Sequence, residues 1–336
     1  MNIAVSGLNN TDNPAPGVGV AKSLVDEHKI IGLSYDPNEP GVYQGFYEKV
    51  YLMPFPTLGF EELKSRLSKI KKECNIEAVI PNLDAELPLY IKYQDELEEL
   101  GVKTYLPNLE CFEARDKSKL AKLSQELGIK HPKTIEIGSL DELVSATKEL
   151  SFPVMVKGNY YKAYRANSLD EAIDHYYTIS NEWGFPLLIQ EVISGVEINY
   201  IGVGDGKDLV AGVGMKKLTT TEIGKVWSAI SIKNEKLLNV SRDFVQKLGW
   251  RGAFEFEAMS DGKDIYLIEI NPRFPAWVYF STMLGVNLPK IMVELMEGKE
   301  VKKQLEYDSE KMYVRFVEET VADFKDFRKL LSTKEL

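Results

Sequence analysis

Short apolar runs alternate with amphipathic segments through roughly the first hundred residues. Ile3 to Val5 is an apolar run that stops at Gly7, and beyond the loop NTDNPAPGVGV the stretch Val20 to His28 has helical spacing. IIGLSY and KVYLM follow as strand-like runs. In GFEELKSRLSKIKKEC the side chains of Phe60, Leu63, Leu67, Ile70 and Cys74 recur at three- and four-residue intervals, the mark of one buried helical face. AVIP, a helix over AELPLYIKYQDELEEL and a strand VKTYL complete the series. Strand and helix in turn predict a parallel sheet covered on both faces.

The pattern changes near Asp116. DKSKLAKLSQELGI reads as an amphipathic helix, followed by strand TIEI, a helix from Ser139, strand PVMVK and a helix from Ser168. Ser139 with Glu142, and Ser168 with Glu171, have the spacing of capping boxes. PLLIQEVI, EINYIGVG, LVAGVGM and VWSAISI are successive strands with no room for crossovers between them, which predicts antiparallel pairing. A helix EKLLNVSRDFVQKLG precedes the hairpin GAFEFEAMSDGKDIYLIEIN, which turns at Asp261-Gly262. One more strand, MYVRFVEE, and a charged helix lie beyond Val301. The fold expected is thus α/β followed by α+β: a Rossmann-like parallel-sheet domain, then a small α+β module and an antiparallel sheet.

Composition narrows the functional classes. The 336 residues are 44% hydrophobic and 27% charged, as in ordinary globular proteins. A net charge of -10 with dispersed lysines and arginines argues against nucleic acid as a partner. Cys74 and Cys111 lack metal-ligand spacing, and His28, His131 and His175 stand in unrelated contexts, so a zinc site or a histidine triad has little material. The opening MNIAVSGLNN lacks the basic start and apolar run of a signal peptide, and no stretch is long enough to span a bilayer; a cytoplasmic protein is expected.

The hairpin carries the strongest chemical signal. Side chains alternate along a strand, so Glu255 and Glu257 share one face of the first strand, as Glu269 and Asn271 do on the second. Two acids and an amide could converge there as hard oxygen ligands for magnesium, although acids alternating on a hairpin also suit a solvent face. Glu269 is set in IYLIEINP, where burial of a carboxylate is costly without a compensating cation. GVGV from Gly17 could form a phosphate nest at a helix N-terminus, but the glycines do not complete GxGxxG, and no nicotinamide cofactor is inferred.

YLIEINPRFP resembles the signature that closes the nucleotide site of the ATP-grasp superfamily, found in biotin carboxylases, carbamoyl-phosphate synthetase halves and D-alanine ligases. The resemblance covers roughly residues 110 to 300 and implies ATP and magnesium. It assigns Glu269 and Asn271 to the metal and Arg273 to the transferred phosphate or acyl-phosphate. GAFEF favours Glu255 as the third metal ligand, with Glu257 second. By the same resemblance Lys117, in RDKSKL, and Lys157, ending FPVMVK, reach the nucleotide phosphates. LIQEVISGVEINY resembles the hinge between lid and core, so Gln190, Glu191 and Ile193 would line the adenine pocket and Glu197 would hold the ribose. Lys216 and Lys217 add phosphate or substrate contacts or form a plain surface pair.

One segment departs from the family pattern. Where many relatives have a glycine-rich lid loop, this chain has GNYYKAYRANS. Either Lys162 or Arg165 supplies cationic phosphate contacts while the tyrosines of the Tyr160–Arg165 segment close the lid over the site, or the segment is a surface loop with aromatic packing. The resemblance also turns the first domain's loops toward the acceptor substrate, making Asn9 to Pro16, Asn82, Asp84 and Glu86 pocket candidates, against ordinary turn and capping chemistry. The domains expected are 1–112 (pre-ATP-grasp, Rossmann-like), 113–189 (ATP-grasp lid), 190–300 (ATP-grasp core with the metal) and 301–336 (C-terminal extension). The activity implied is that of an ADP-forming carboxylate–amine ligase acting on small molecules such as amino acids or peptides, as a possible homodimer. Bicarbonate activation, as in biotin carboxylase or carbamoyl-phosphate synthetase, and an inactive ATP-binding regulator are the alternatives.

Overall fold

The structure is a computed structural model that describes residues 1–9, 15–158, 162–221 and 224–336. Four strands open the chain, β1 (Asn2–Val5), β2 (Lys29–Ser34), β3 (Lys49–Leu52) and β4 (Ala78–Ile80). Four more follow, β5 (Thr134–Ile137), β6 (Val154–Gly158), β7 (Ala163–Ala166) and β8 (Leu187–Glu191). Then come β9 (Val196–Asp205), β10 (Leu209–Thr220), β11 (Val226–Ile232), β12 (Arg251–Ser260), β13 (Ile265–Asn271) and β14 (Met312–Val314). They belong to two compact units. The first comprises Met1–Glu113, Asn199–Phe256 and Ile270–Leu336; the second comprises Ala114–Ile198 and Glu257–Glu269.

In the first unit a parallel sheet has the order β3-β2-β1-β4. Its strands are short apolar runs because both faces are covered. Ile3, Val5, Ile30 and Ile80 pack to one side with Val20 and Leu24 of the helix Pro16–Leu24. Ala4, Ile31, Leu33 and Val79 pack to the other with Phe60, Leu63, Leu67 and Ile70, the predicted face of the helix Phe60–Cys74. The strand order reverses between β1 and β4, and in open α/β sheets the crevice beyond the carboxyl ends at such a point is where ligands bind. Ser6 and Asn82 stand there.

The second sheet has the order β13-β12-β9-β10-β11-β14; β10 is antiparallel to β11 as expected, β14 pairs antiparallel on the other side of β11, and the PLLIQEVI strand joins a different sheet as β8. In the second unit a four-stranded antiparallel sheet, β5-β8-β6-β7, packs against the helices Leu140–Leu150 and Leu169–Trp183. Ser139 and Ser168 cap these helices by accepting from the backbone N–H of Glu142 and Glu171. The reciprocal glutamate bonds reach one residue further back than the usual box, to the N–H of Gly138 (2.6 Å) and Asn167 (2.8 Å).

Several expectations need correction. The helix after the first loop begins at Pro16, not Val20, so Gly17 and Gly19 lie inside it. A Cβ on Gly17 would stand 1.9 Å from the Ser6 carbonyl oxygen, and one on Gly19 2.9 Å from a Val278 methyl. These glycines serve close helix packing, not a phosphate nest. VKTYL forms only a bridge at Lys103 beside Ala78, and the predicted helix over 85–100 breaks at Tyr93 into Leu87–Lys92 and Gln94–Glu99. Part of GNYYKAYRANS is a strand: β7 pairs with β6, Lys157 opposite Ala163 and Met155 opposite Arg165. Residues 10–14 of the first loop, and Tyr160 and Tyr161, lie outside the described residues.

Candidate active site

The second unit gathers a cluster of charges around a half-buried lysine. Lys157 stands near the end of β6, where its Nζ donates to Gln190 Oε1 on β8 (2.6 Å). Gln190 Nε2 in turn donates to Thr134 Oγ1 on β5 (2.8 Å), so the lysine is held from across three adjacent strands. Burial, then the Lys117 cation, lowers the Lys157 pKa to about 8, while Glu269, Glu257 and Glu197 oppose the shift. Lys117 Nζ lies 3.7 Å from Glu269 Oε1. Lys117, Lys157, Gln190, Glu197 and Glu269 are therefore neighbours, and Glu257, the second choice on its strand, joins them.

The other predicted nucleotide contacts are placed differently. Glu191 Oε1 accepts from the Lys133 N–H (2.7 Å), and Ile193 is half-buried. Lys162 pairs with Glu182 of the helix Leu169–Trp183, and Arg165 Nε donates to Asn167 (3.3 Å); the structure brings neither cation to the lysine cluster. Lys217 Nζ donates to the Gly224 carbonyl (3.2 Å).

The first unit contributes a second group of polar side chains. Glu255 on β12 is buried, 3% exposed. Its Oε1 accepts from the Trp277 indole N–H (2.6 Å) and Asn199 Nδ2 (2.9 Å), and its Oε2 accepts from Asn271 Nδ2 (3.1 Å). The next turn of chain carries Arg273, whose Nε and Nη2 both donate to Asp84 Oδ2 (3.1 and 2.8 Å) and whose Nη2 also reaches Asn271 Oδ1 (3.4 Å). Asp84 sits in a loop pinned by Glu86. That buried carboxylate accepts from Ser6 Oγ, the N–H groups of Asn82 (3.0 Å) and Leu83 (3.1 Å), and Tyr35 OH (2.5 Å). Burial raises the Glu86 pKa, and these bonds oppose the rise. Glu86 thus shapes the loop, and Asp84 is the member of the predicted trio that meets a site residue. Asn82 anchors to the Ser6 and Ile80 carbonyls, lining a small pocket with Ile80, Tyr105, Arg273 and Phe274.

The donor types here fit a magnesium ion. The Asn271 amide turns its N–H group to Glu255 and its oxygen toward Arg273, which sets a hard oxygen donor beside a buried carboxylate, the ligand chemistry magnesium prefers. Groups of three or more His, Cys, Asp or Glu side chains suited to a metal are absent among the described residues. Trp277 and Asn199 have no signal in the sequence pattern: the indole arrives from beyond the signature and the amide from another strand.

The half-buried lysine pair, the hydrogen-bonded carboxylate–asparagine pair of the hairpin and the preceding parallel sheet are the features on which the resemblance to the ATP-grasp superfamily rests. The chain carries an ATP-grasp domain: residues 185–320 match the family described as ATP-grasp in the biosynthetic pathway with Ter operon. It is homologous to carbamoyl phosphate synthase large chains. It is 28% identical to that of Clostridium acetobutylicum over 230 residues, 63% of this chain and 21% of the relative. It is 27% identical to the C-terminal section from Aquifex aeolicus over 276 residues, 77% and 49% of the two chains. The chain thus spans between about a fifth and a half of these relatives.

Solved structures share the fold at lower identity. The biotin carboxylase domain dimer of Hydrogenobacter thermophilus 2-oxoglutarate carboxylase, in complex with MgADP, ADP and bicarbonate, superposes with a TM-score of 0.67 at 16% identity, covering 90% of this chain and 71% of that one. The L-amino acid ligase of Bacillus licheniformis gives a TM-score of 0.66 at 17% identity, covering 88% and 74%. Helices long and apolar enough to cross a membrane are absent among the described residues.

Proposed function

We propose that this chain is an ATP-dependent, ADP-forming carboxylate–amine ligase that works through an acyl-phosphate. The observation that carries the reading is the charge cluster formed by Lys157, held by Gln190 (2.6 Å), and Lys117, 3.7 Å from Glu269, in which the Lys117 cation lowers the Lys157 pKa. Two ammonium groups held this near each other repel, and a bound polyphosphate would relieve that repulsion. On this reading 1–112 precedes an ATP-grasp lid (113–189) and core (190–300), with 301–336 as an extension.

In the reaction proposed, a carboxylate oxygen attacks the γ-phosphorus and the bond to the β–γ bridging oxygen breaks, giving ADP and the acyl-phosphate. The amine then attacks the acyl carbon and inorganic phosphate leaves. Lys117 and Lys157 would offset charge on the phosphates, and Arg273 would hold the acyl-phosphate. Magnesium, held by Glu255, Glu269 and Asn271, would neutralise charge on the phosphate oxygens. The backbone around Glu191 and Ile193 would frame the adenine and Glu197 the ribose, while Gln190 serves chiefly to hold Lys157. Lys162 or Arg165 would have to exchange Glu182 or Asn167 for a phosphate to take part.

The names of the carbamoyl phosphate synthase relatives support a second reading, with bicarbonate as the carboxylate. Phosphate release with ATP, magnesium and pooled amino acids, run beside Glu269→Ala, tests the first. Release that survives in Glu269→Ala refutes the metal assignment. Release that needs bicarbonate and ammonia instead selects the second reading. Nucleotide binding with no release in either pool leaves a regulator.

A further inference from the structure

The loop after β13 does more than present Asn271 and Arg273. It runs Asn271-Pro272-Arg273-Phe274-Pro275-Ala276-Trp277, and a turn with the Val278 N–H on the Pro275 carbonyl (3.0 Å) folds it back. That turn buries the Trp277 indole, 2% exposed, with its N–H on Glu255 Oε1. An indole N–H can only donate, and at 2.6 Å to a carboxylate it makes a short, charge-assisted bond. Asn199, fully buried, adds a second donor to the same oxygen.

The consequence is a carboxylate whose two oxygens meet different partners. Trp277 and Asn199 both donate to Oε1, and Asn271, the residue that brings the amide oxygen, donates to Oε2. We infer that Trp277 is a positioning residue for the metal site: its indole N–H fixes the rotation of the Glu255 carboxyl so that Oε2, beside Asn271, is the oxygen offered to a divalent cation. The inference rests on the reading of Glu255 as a metal ligand. Partners that orient a ligating group typically change metal affinity by about ten- to a hundredfold when removed.

The test is Mn²⁺ binding, followed by electron paramagnetic resonance of the free ion, to protein saturated with a non-hydrolysable ATP analogue. Trp277→Phe keeps an aromatic ring and deletes the donor; it should weaken Mn²⁺ binding about tenfold. Trp250→Phe is the packing control, because Trp250 is equally buried but donates to the Ala253 carbonyl. It should bind Mn²⁺ as the unaltered protein does. Glu255→Gln separates the two layers of the argument. If Glu255→Gln weakens binding and Trp277→Phe does not, the positioning role is overturned while the metal reading stands. If Glu255→Gln binds normally, both fall.

Should Trp277→Phe fail to fold, the unaltered sequence labelled with 5-fluorotryptophan gives the answer. The Trp277 fluorine resonance is identified by elimination from single Phe variants of Trp183, Trp227 and Trp250. Broadening of that resonance by Mn²⁺ is expected, and an unchanged line width overturns the inference.

Discussion

Replacing Lys157 with Met should make the folded protein more stable at neutral pH, even as it destroys nucleotide binding. Burial and Lys117 hold the lysine's pKa near 8 in the folded chain, against an ordinary value of 10.5. The unfolded chain therefore binds more protons than the native one between about pH 8 and pH 10.5, and native stability rises with pH across that window. Below pH 8 the full penalty stands. From the two pKa values it amounts to roughly 3 kcal/mol at pH 7 and about 2 kcal/mol at pH 9. The Met variant escapes this penalty but leaves Gln190 Oε1 without its donor, a loss of about 1 kcal/mol. The net expectation is a gain of about 2 kcal/mol at pH 7 that shrinks by roughly 1 kcal/mol at pH 9. Urea unfolding of both proteins at pH 7, 8 and 9 measures it. Only the difference matters, since the other titrating groups are common to both. A gap that is constant or widens with pH would refute the reasoning.

Further outcomes follow from the same contacts. Gln190→Ala removes the acceptor that favours charged Lys157, so the lower edge of the stability rise should move from about pH 8 to lower pH, read from the same urea series. Lys117→Ala relieves the repulsion, moving that lower edge above pH 8, and should weaken ATP binding by at least about tenfold in calorimetry. Asp84→Asn leaves the mostly buried Arg273 guanidinium without its carboxylate and should cost about 2 kcal/mol in urea unfolding. Gly17→Ala forces a methyl group against the Ser6 carbonyl, so the soluble yield and thermal midpoint should fall sharply, by more than about 3 kcal/mol of stability.

Much of this molecule is legible in its sequence because local rules and global fold agree there. The helix Phe60–Cys74 buries the side chains its periodicity selects, and β11 spans the predicted VWSAISI. The two serine caps stand where the spacing puts them. The hairpin is legible in part: alternation gives Glu255 and Glu257 one face of the first strand and Glu269 and Asn271 one face of the second, and the fold adds the Glu255–Asn271 hydrogen bond. What escaped depends on contacts distant in sequence. β7 alternates Tyr164 and Arg165 among small residues and gains strand character only from pairing with β6. Gly17 looks like a ligand loop until β1 is seen against it. The Gln190 side chain reads as part of an adenine pocket, yet it spans from Lys157 to Thr134. Trp277 lies six residues past Asn271, outside any periodic pattern, and only the fold carries its indole to Glu255.

The acyl-phosphate is the claim on which the proposed function turns, and oxygen-18 tests it most directly. The carboxylate substrate selected by the phosphate-release screen, labelled in both oxygens, is converted with unlabelled ATP, and the inorganic phosphate is analysed by mass spectrometry. One labelled oxygen transferred to each phosphate is the result expected, with none in Glu269→Ala, which should release no phosphate. Unlabelled phosphate from an active enzyme would contradict the account.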